Sequence, residues 1–155
     1  MKLHLAWAEQ EEKEGRVEEA RNILSQISNT NKDIDLVMKR VDLEVRQIDI
    51  VKAIDILENN LEAEVSAAET VKLVMRLVML LTVNGEAGKA EKLVTDAIGK
   101  DKHNAELYRL KIDLLKIKGN HKEIVNVCVN ALKNVPKAKN FFLLLQMIYS
   151  VVSLV

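Results

Sequence analysis

Four times along this chain a helix-length apolar run meets a short turn, and a small or aliphatic residue follows five positions after the turn centre. Gly15 precedes Ala20, Ile48 precedes Ala53, Gly85 precedes Ala90, and Gly119 precedes Ile124. The turn centres lie 33, 37 and 34 residues apart. That is the period of a stacked helix-turn-helix array, in which each unit buries its apolar face against its neighbour. The spacing predicts an all-α chain, a right-handed α-α superhelix (solenoid) of about four repeats followed by a C-terminal helix. Such arrays hold partners on extended surfaces.

The rest of the sequence is consistent with long helices. One proline and five glycines in 155 residues leave few breakers. Val and Ile recur at spacings of three and four rather than alternating, which excludes strands on period. The repeats fall at about 3–27, 35–61, 67–98 and 105–133, with an apolar helix at 138–155. Asp33 or Asp35 is placed to cap the third helix, and Ser66 with Glu69 forms an S-x-x-E capping box before the fifth. Asp101 to Asn104 makes another capped connector, Asn120 and Glu123 repeat the capping arrangement, and Pro136 stops the eighth helix.

Small residues after the turns have a mechanical reason. Two helices joined by a tight turn diverge slowly, so a residue the size of Ala20, Ala53 or Ala90 lets the axes approach to the short end of roughly 8–10 Å. Ile124 departs from this and predicts a splayed fourth pair, or a turn shifted in register.

Net charge is zero but unevenly spread: residues 1–69 carry sixteen acidic and nine basic side chains, and residues 70–155 carry seven and fourteen. An acidic half and a basic half permit electrostatic steering or head-to-tail contact, although charge runs are commonly only solvated faces. The single cysteine, Cys128, sits in an apolar run and reads as a buried small hydrophobe; no intramolecular disulfide is possible. His121 lies seven residues earlier, but an apolar setting raises a thiol pKa and disfavours a catalytic pair.

Catalysis has little to stand on. His4, His103 and His121 lie in different parts of the chain without metal-ligand spacing, and Asn84 to Gly88 lacks the strand and the G-K-[ST] ending of a phosphate loop. No enzyme activity and no cofactor are expected. The amino-terminal segment turns acidic after eight residues and has no signal-peptide core. The fifteen residues from Phe141 to Val155 would rise only about 22 Å as a helix, short of a hydrocarbon core of roughly 30 Å. No membrane partner follows. Because the chain starts within a helix and ends in an apolar run, without polar caps, it reads as an excerpt of a longer repeat protein whose ends seek cover.

The first repeat carries Trp7 eight residues before Gly15, Glu11 four before it, and Ala20 with Arg21 after it. This pattern resembles the half-a-tetratricopeptide (HAT) repeat, a relative of the tetratricopeptide (TPR) repeat found in RNA-processing proteins. The second repeat keeps Glu44 in the glutamate position and Ala53, but has Arg40 where Trp7 sits and Ile54 at the arginine position. The third and fourth, with Leu81 and Leu115 in the glutamate position, match in spacing only. In order and spacing the stretches from Leu3, Val37 and Lys92 are similar to the C-terminal repeats of the pre-mRNA-processing factor 39 family, over roughly residues 3–133.

That resemblance implies a nuclear, non-catalytic scaffold of mRNA splicing, associated with the U1 small nuclear ribonucleoprotein (snRNP) that recognises the 5′ splice site. It also implies a homodimer formed through C-terminal repeats. The residues alone stop at a helical-repeat module for protein-protein interaction; a generic TPR-like adaptor, cytoplasmic rather than in the nucleus, remains the alternative.

The motif positions Trp7, Glu11, Gly15, Ala20, Arg21, Glu44, Ala53, Gly85, Ala90 and Gly119 read as structural. Trp7, at helical spacing from Leu3, is expected in the core, and Glu11 and Arg21 are expected to pair across their hairpin. Phe141, Phe142, Leu145, Ile148 and Tyr149 form the candidate interface. RNA contact is the rival reading, because residues 100–139 hold ten basic and four acidic side chains, but Tyr108 is the only aromatic platform there.

Overall fold

The computed structural model describes residues 1–30, 33–62, 66–137 and 149. Among them all regular structure is helical: α1 Lys2–Lys13, α2 Val17–Thr30, α3 Ile34–Arg46, α4 Ile50–Leu61, α5 Ala67–Val83, α6 Ala87–Lys100, α7 Ala105–Lys118 and α8 His121–Asn134. Ser28 to Thr30, beyond the first repeat's expected end at about residue 27, continue α2 by a turn. The chain divides into two compact units, Met1–Glu69 and Thr70–Val155. The same position divides the acidic half from the basic half.

Each hairpin turn is the same device. The backbone N–H groups of Arg16, Asp49, Glu86 and Asn120 reach back five residues to the carbonyls of Glu11, Glu44, Leu81 and Leu115 at 2.8–3.0 Å. Those of Gly15, Ile48, Gly85 and Gly119 reach back three, to Glu12, Val45, Thr82 and Lys116. This is the Schellman closure, which requires a left-handed residue at the turn centre. Gly15, Ile48, Gly85 and Gly119 accordingly have φ of +81°, +63°, +83° and +71°. Ile48 is the one side-chain-bearing residue among the described positions to be held there.

The following helices start on side-chain caps. Asp33 accepts from the Asp35 N–H at 2.9 Å and Asp49 from the Lys52 N–H at 3.1 Å. Ser66 and Glu69 form the reciprocal capping box, Asn104 accepts from Glu106 N–H, and Asn120 accepts from Glu123 N–H. Val135, extended at ψ 136° before Pro136, ends α8.

Five residues beyond each turn the side chain is fully covered: Ala20, Ala53, Ala90 and Ile124 are at most 1% exposed. In the first unit Ala20 meets Ala8, with Ile23, Leu24 and Leu43 completing the cluster. The fourth pair is not shifted in register as Ile124 suggested, since its turn makes the same two bonds as the others. Ile124 is sealed in a cluster with Tyr108, Ile112, Leu115, Cys128 and Ala131. Bulk has moved along the helix. Where α2 runs Ala20, Leu24, Ile27, α8 runs Ile124, Cys128, Ala131 at the same repeat positions, trading a large residue near the turn for smaller ones further on.

Candidate interaction surface

The motif residues of the first repeat do not assemble as the sequence suggested. Trp7 is 53% exposed, outside the core, and its indole N–H donates to Glu11 at 2.8 Å. Glu11 does not reach Arg21. It accepts instead from Arg16, the residue just past the turn, and the Arg16 guanidinium first and the Trp7 N–H second hold its carboxyl below the usual carboxylate range.

Arg21 turns the other way, into α3. It donates from Nε to Glu44 Oε1 at 2.8 Å and from Nη2 to Oε2 at 2.6 Å, with a further ion pair to Glu18. Among the described residues of this unit Glu44 is the buried charged side chain, 4% exposed. Its repeat position explains the burial: Leu81 and Leu115 occupy the same slot and are 0% exposed. A carboxylate survives there because a bidentate guanidinium from the preceding hairpin satisfies both oxygens. Sequence reading missed this link by pairing the glutamate and arginine of one repeat, whereas the bond joins the arginine of one repeat to the glutamate of the next.

A second set of pairs ties α1 to α3. Arg46 holds Glu12 through Nε at 2.7 Å and Nη2 at 2.8 Å, and Lys39 reaches Glu9 at 3.3 Å. The bond from Arg46 draws the Glu12 carboxyl below its usual range. These residues line a small groove above Ala8 and Ala20 whose charges are thus engaged with one another.

Each unit also carries a larger open cleft, bounded by two successive second helices with a first helix as its floor. In the first unit it lies among α2, α3 and α4 and holds about 340 Å³; in the second it lies among α6, α7 and α8 and holds about 390 Å³. Tyr108 sits under the second cleft, 2% exposed, with its hydroxyl donating to the Lys102 carbonyl at 3.0 Å; burial pushes its pKa up. His103 Nδ1 lies 2.6 Å from the Asn134 carbonyl.

Cys128 is buried, and desolvation raises its thiol pKa, the opposite of what a nucleophile requires. Among the described residues no group of three or more His, Cys, Asp or Glu is placed to hold a metal ion, and no helix is long and apolar enough to cross a membrane. Tyr149 is helical and 78% exposed; Phe141, Phe142, Leu145 and Ile148 of the candidate interface, and most of the apolar helix at 138–155, lie outside the described residues.

No protein-family model matches the chain. Pre-mRNA-processing factor 39 of Xenopus laevis is 32% identical over 137 residues, covering 85% of this chain and 21% of that protein. The Homo sapiens protein of the same name is 30% identical over 132 residues, covering 80% and 19%. The chain therefore spans about a fifth of the length of the curated relatives it matches. Among solved structures, one described as "MamA RS-1 ArsTM double mutant" superposes with a TM-score of 0.59 at 13% identity, covering 98% of this chain and 83% of that one. YrrB, described as a TPR protein with an unusual peptide-binding site, superposes with a TM-score of 0.54 at 13% identity, covering 97% and 84%. At these identities the structures establish the fold alone. The chain is a HAT/TPR-like all-α repeat protein that resembles pre-mRNA-processing factor 39.

Proposed function

We propose that this chain is a non-catalytic helical-repeat scaffold for protein-protein contact in nuclear pre-mRNA splicing, acting with the U1 snRNP in recognition of the 5′ splice site. The observation that carries this reading is the similarity to pre-mRNA-processing factor 39 across 85% of the chain. The repeat architecture suits it, because each hairpin offers side chains on a surface stabilised only by its neighbours. Self-association through Phe141 to Val155, with Phe141, Phe142, Leu145, Ile148 and Tyr149 as the contact face, is part of the proposal. So is membership of a larger ribonucleoprotein assembly in place of a free enzyme.

Two measurements test it. Tagged chain incubated in nuclear extract is expected to enrich U1 small nuclear RNA over the other spliceosomal RNAs; equal recovery of all of them overturns the splicing assignment. Molar mass by light scattering is expected to fall from dimer to monomer when the chain is ended at Lys133, and a monomer in both forms overturns the self-association.

Direct RNA contact is supported by the basic charge of residues 70–155, fourteen basic against seven acidic side chains. Burial of Tyr108 weighs against it, since that ring is not presented for stacking. Affinity for a labelled uridine oligonucleotide that falls steeply with salt would favour this second reading.

A further inference from the structure

The clefts of the two units share a chemical frame that the repeat motif does not require. Ten residues after the turn centre stand Ser25 and Thr95; eight before it stand Arg40 and Lys111. Eight after it stand Ile56 and Val127, and eleven after it Asn59 and Asn130. Each cleft is thus lined by a hydroxyl, a cation, a β-branched side chain and a carboxamide at matching positions.

The cations differ from most of the structured charges around them. Arg16, Arg21, Arg46, Lys39, Arg109, Lys116 and Lys118 are all in ion pairs. Arg40 and Lys111 are half-buried, and among the described residues neither has a carboxylate within 4.0 Å; Arg40 donates only to Ser28 Oγ, at 3.4 Å. A half-buried ammonium without a counter-charge is costly unless an anion reaches it. The clefts diverge in their remaining charge. Glu18, Glu44 and Asp55 line the first together with Arg21 and Lys52, whereas the second adds Lys102 and, among the described residues, no acidic side chain.

We propose that the cleft of α6, α7 and α8 is a binding site for an acidic peptide segment. A carboxylate side chain of the segment reaches Lys111 and Lys102. An adjacent aliphatic side chain seats on Val127 and Ile98. The Asn130 carboxamide, at the cleft's edge, pairs with the peptide main chain. A charge-assisted bond supplies most of the affinity, and the apolar floor gives preference over a bare phosphate chain. The floor and the enclosed Tyr108 favour a peptide over RNA, which would need an exposed ring. The inference rests on the reading of the chain as a protein-binding scaffold, but its test uses a defined probe. Failure here therefore leaves the enrichment of U1 small nuclear RNA as a separate result.

The probe is a short fluorescein-labelled peptide alternating glutamate and leucine, titrated with the full chain and read by anisotropy. Binding is expected, with roughly tenfold weakening on Lys111→Glu and on Lys111→Gln, the size expected for one lost charge-assisted bond. Lys133→Glu, the same charge change outside the cleft, is expected to change the affinity less than twofold. Circular dichroism of each variant verifies its fold, and Lys111→Gln serves if Lys111→Glu does not fold. Four results overturn the proposal: no binding, equal binding of a glutamine-for-glutamate peptide, equal weakening by Lys133→Glu, or equal competition by a uridine oligonucleotide.

Discussion

Arg21 of α2 grips Glu44 of α3 through two parallel N–H···O bonds, 2.8 and 2.6 Å long, across a hairpin boundary. The arrangement makes the pair a register pin between consecutive repeats, since a slip by one residue would leave a carboxylate buried among apolar side chains. An exposed pair within one hairpin would contribute only about 0–1 kcal/mol. Removing one partner of a buried pair costs about 3 kcal/mol or more. Arg21→Ala is therefore expected to destabilise the protein by about 3 kcal/mol and to lower Tm by roughly 6–12 °C. The paired change Arg21→Met with Glu44→Leu is expected to recover most of that loss, because Leu81 and Leu115 already fill the same slot in the other repeats. Urea unfolding of both single variants and the double variant gives the coupling energy; additive effects would mean that the bond holds nothing.

Ile48 occupies a conformation that suits glycine. Its φ of +63° forces a β-branched side chain into the left-handed region, at a cost of about 1–2 kcal/mol. Because the side chain is 84% exposed, little apolar burial offsets that cost. Ile48→Gly also frees the unfolded chain, which returns part of the gain. The expected net effect is a stabilisation of about 1 kcal/mol, seen as a rise in Tm of roughly 2–4 °C. A fall in Tm would show that Ile48 makes an apolar contact worth more than its strain.

Exchanging the residues five beyond the turn separates helix spacing from side-chain volume. Ala53 is 0% exposed, and Ala53→Leu adds bulk where the helix axes are close, at an expected cost of about 1–3 kcal/mol. Ile124→Ala removes bulk that Cys128 and Ala131 do not replace, at an expected cost of about 2–5 kcal/mol. Thermal unfolding of both variants is the measurement. If Ile124→Ala were neutral, the α7–α8 pair would have closed up around the smaller residue.

What the sequence made legible was the part that depends on backbone geometry. Gly15, Gly85 and Gly119 mark left-handed closures because few other residues adopt them at low cost, and even Ile48 was located by its period. Alanine after the turn followed from the approach of two helices. Arg21 could not be placed in the same way. Its partner lies 23 residues on, and which helix face turns toward the next repeat depends on packing that no local pattern records. Trp7 was misplaced for a related reason: its neighbour Leu3 has the repeat position of Leu36, which is 2% exposed on α3, yet Leu3 itself is 80% exposed. The cleft residues gave no signal individually, being ordinary polar side chains. Their common positions gain meaning only once the structure puts Lys111, Val127 and Asn130 around one opening.

Acid sensitivity should reside in the Arg46–Glu12 pair between α1 and α3. The Arg46 hydrogen bond holds the Glu12 carboxyl below its usual range, so the unfolded chain binds that proton at a higher pH than the folded one. Stability from this pair is complete above the unfolded pKa, about 4.3, and is lost as pH falls through the lowered folded value. Glu11, lowered by Arg16 and then Trp7, acts in the same direction but binds α1 only to its own turn. Tm is expected to be level above about pH 5 and to decline below it, with Glu12→Gln lower on the plateau and less steep in the decline. The difference between the two proteins should shrink as pH falls through the lowered folded value, where the wild-type carboxylate takes up its proton. Tm measured across this range in a single buffer series checks it. A constant difference at every pH would mean that Glu12 acts by shape alone, and that its charge contributes nothing to holding α1 against α3.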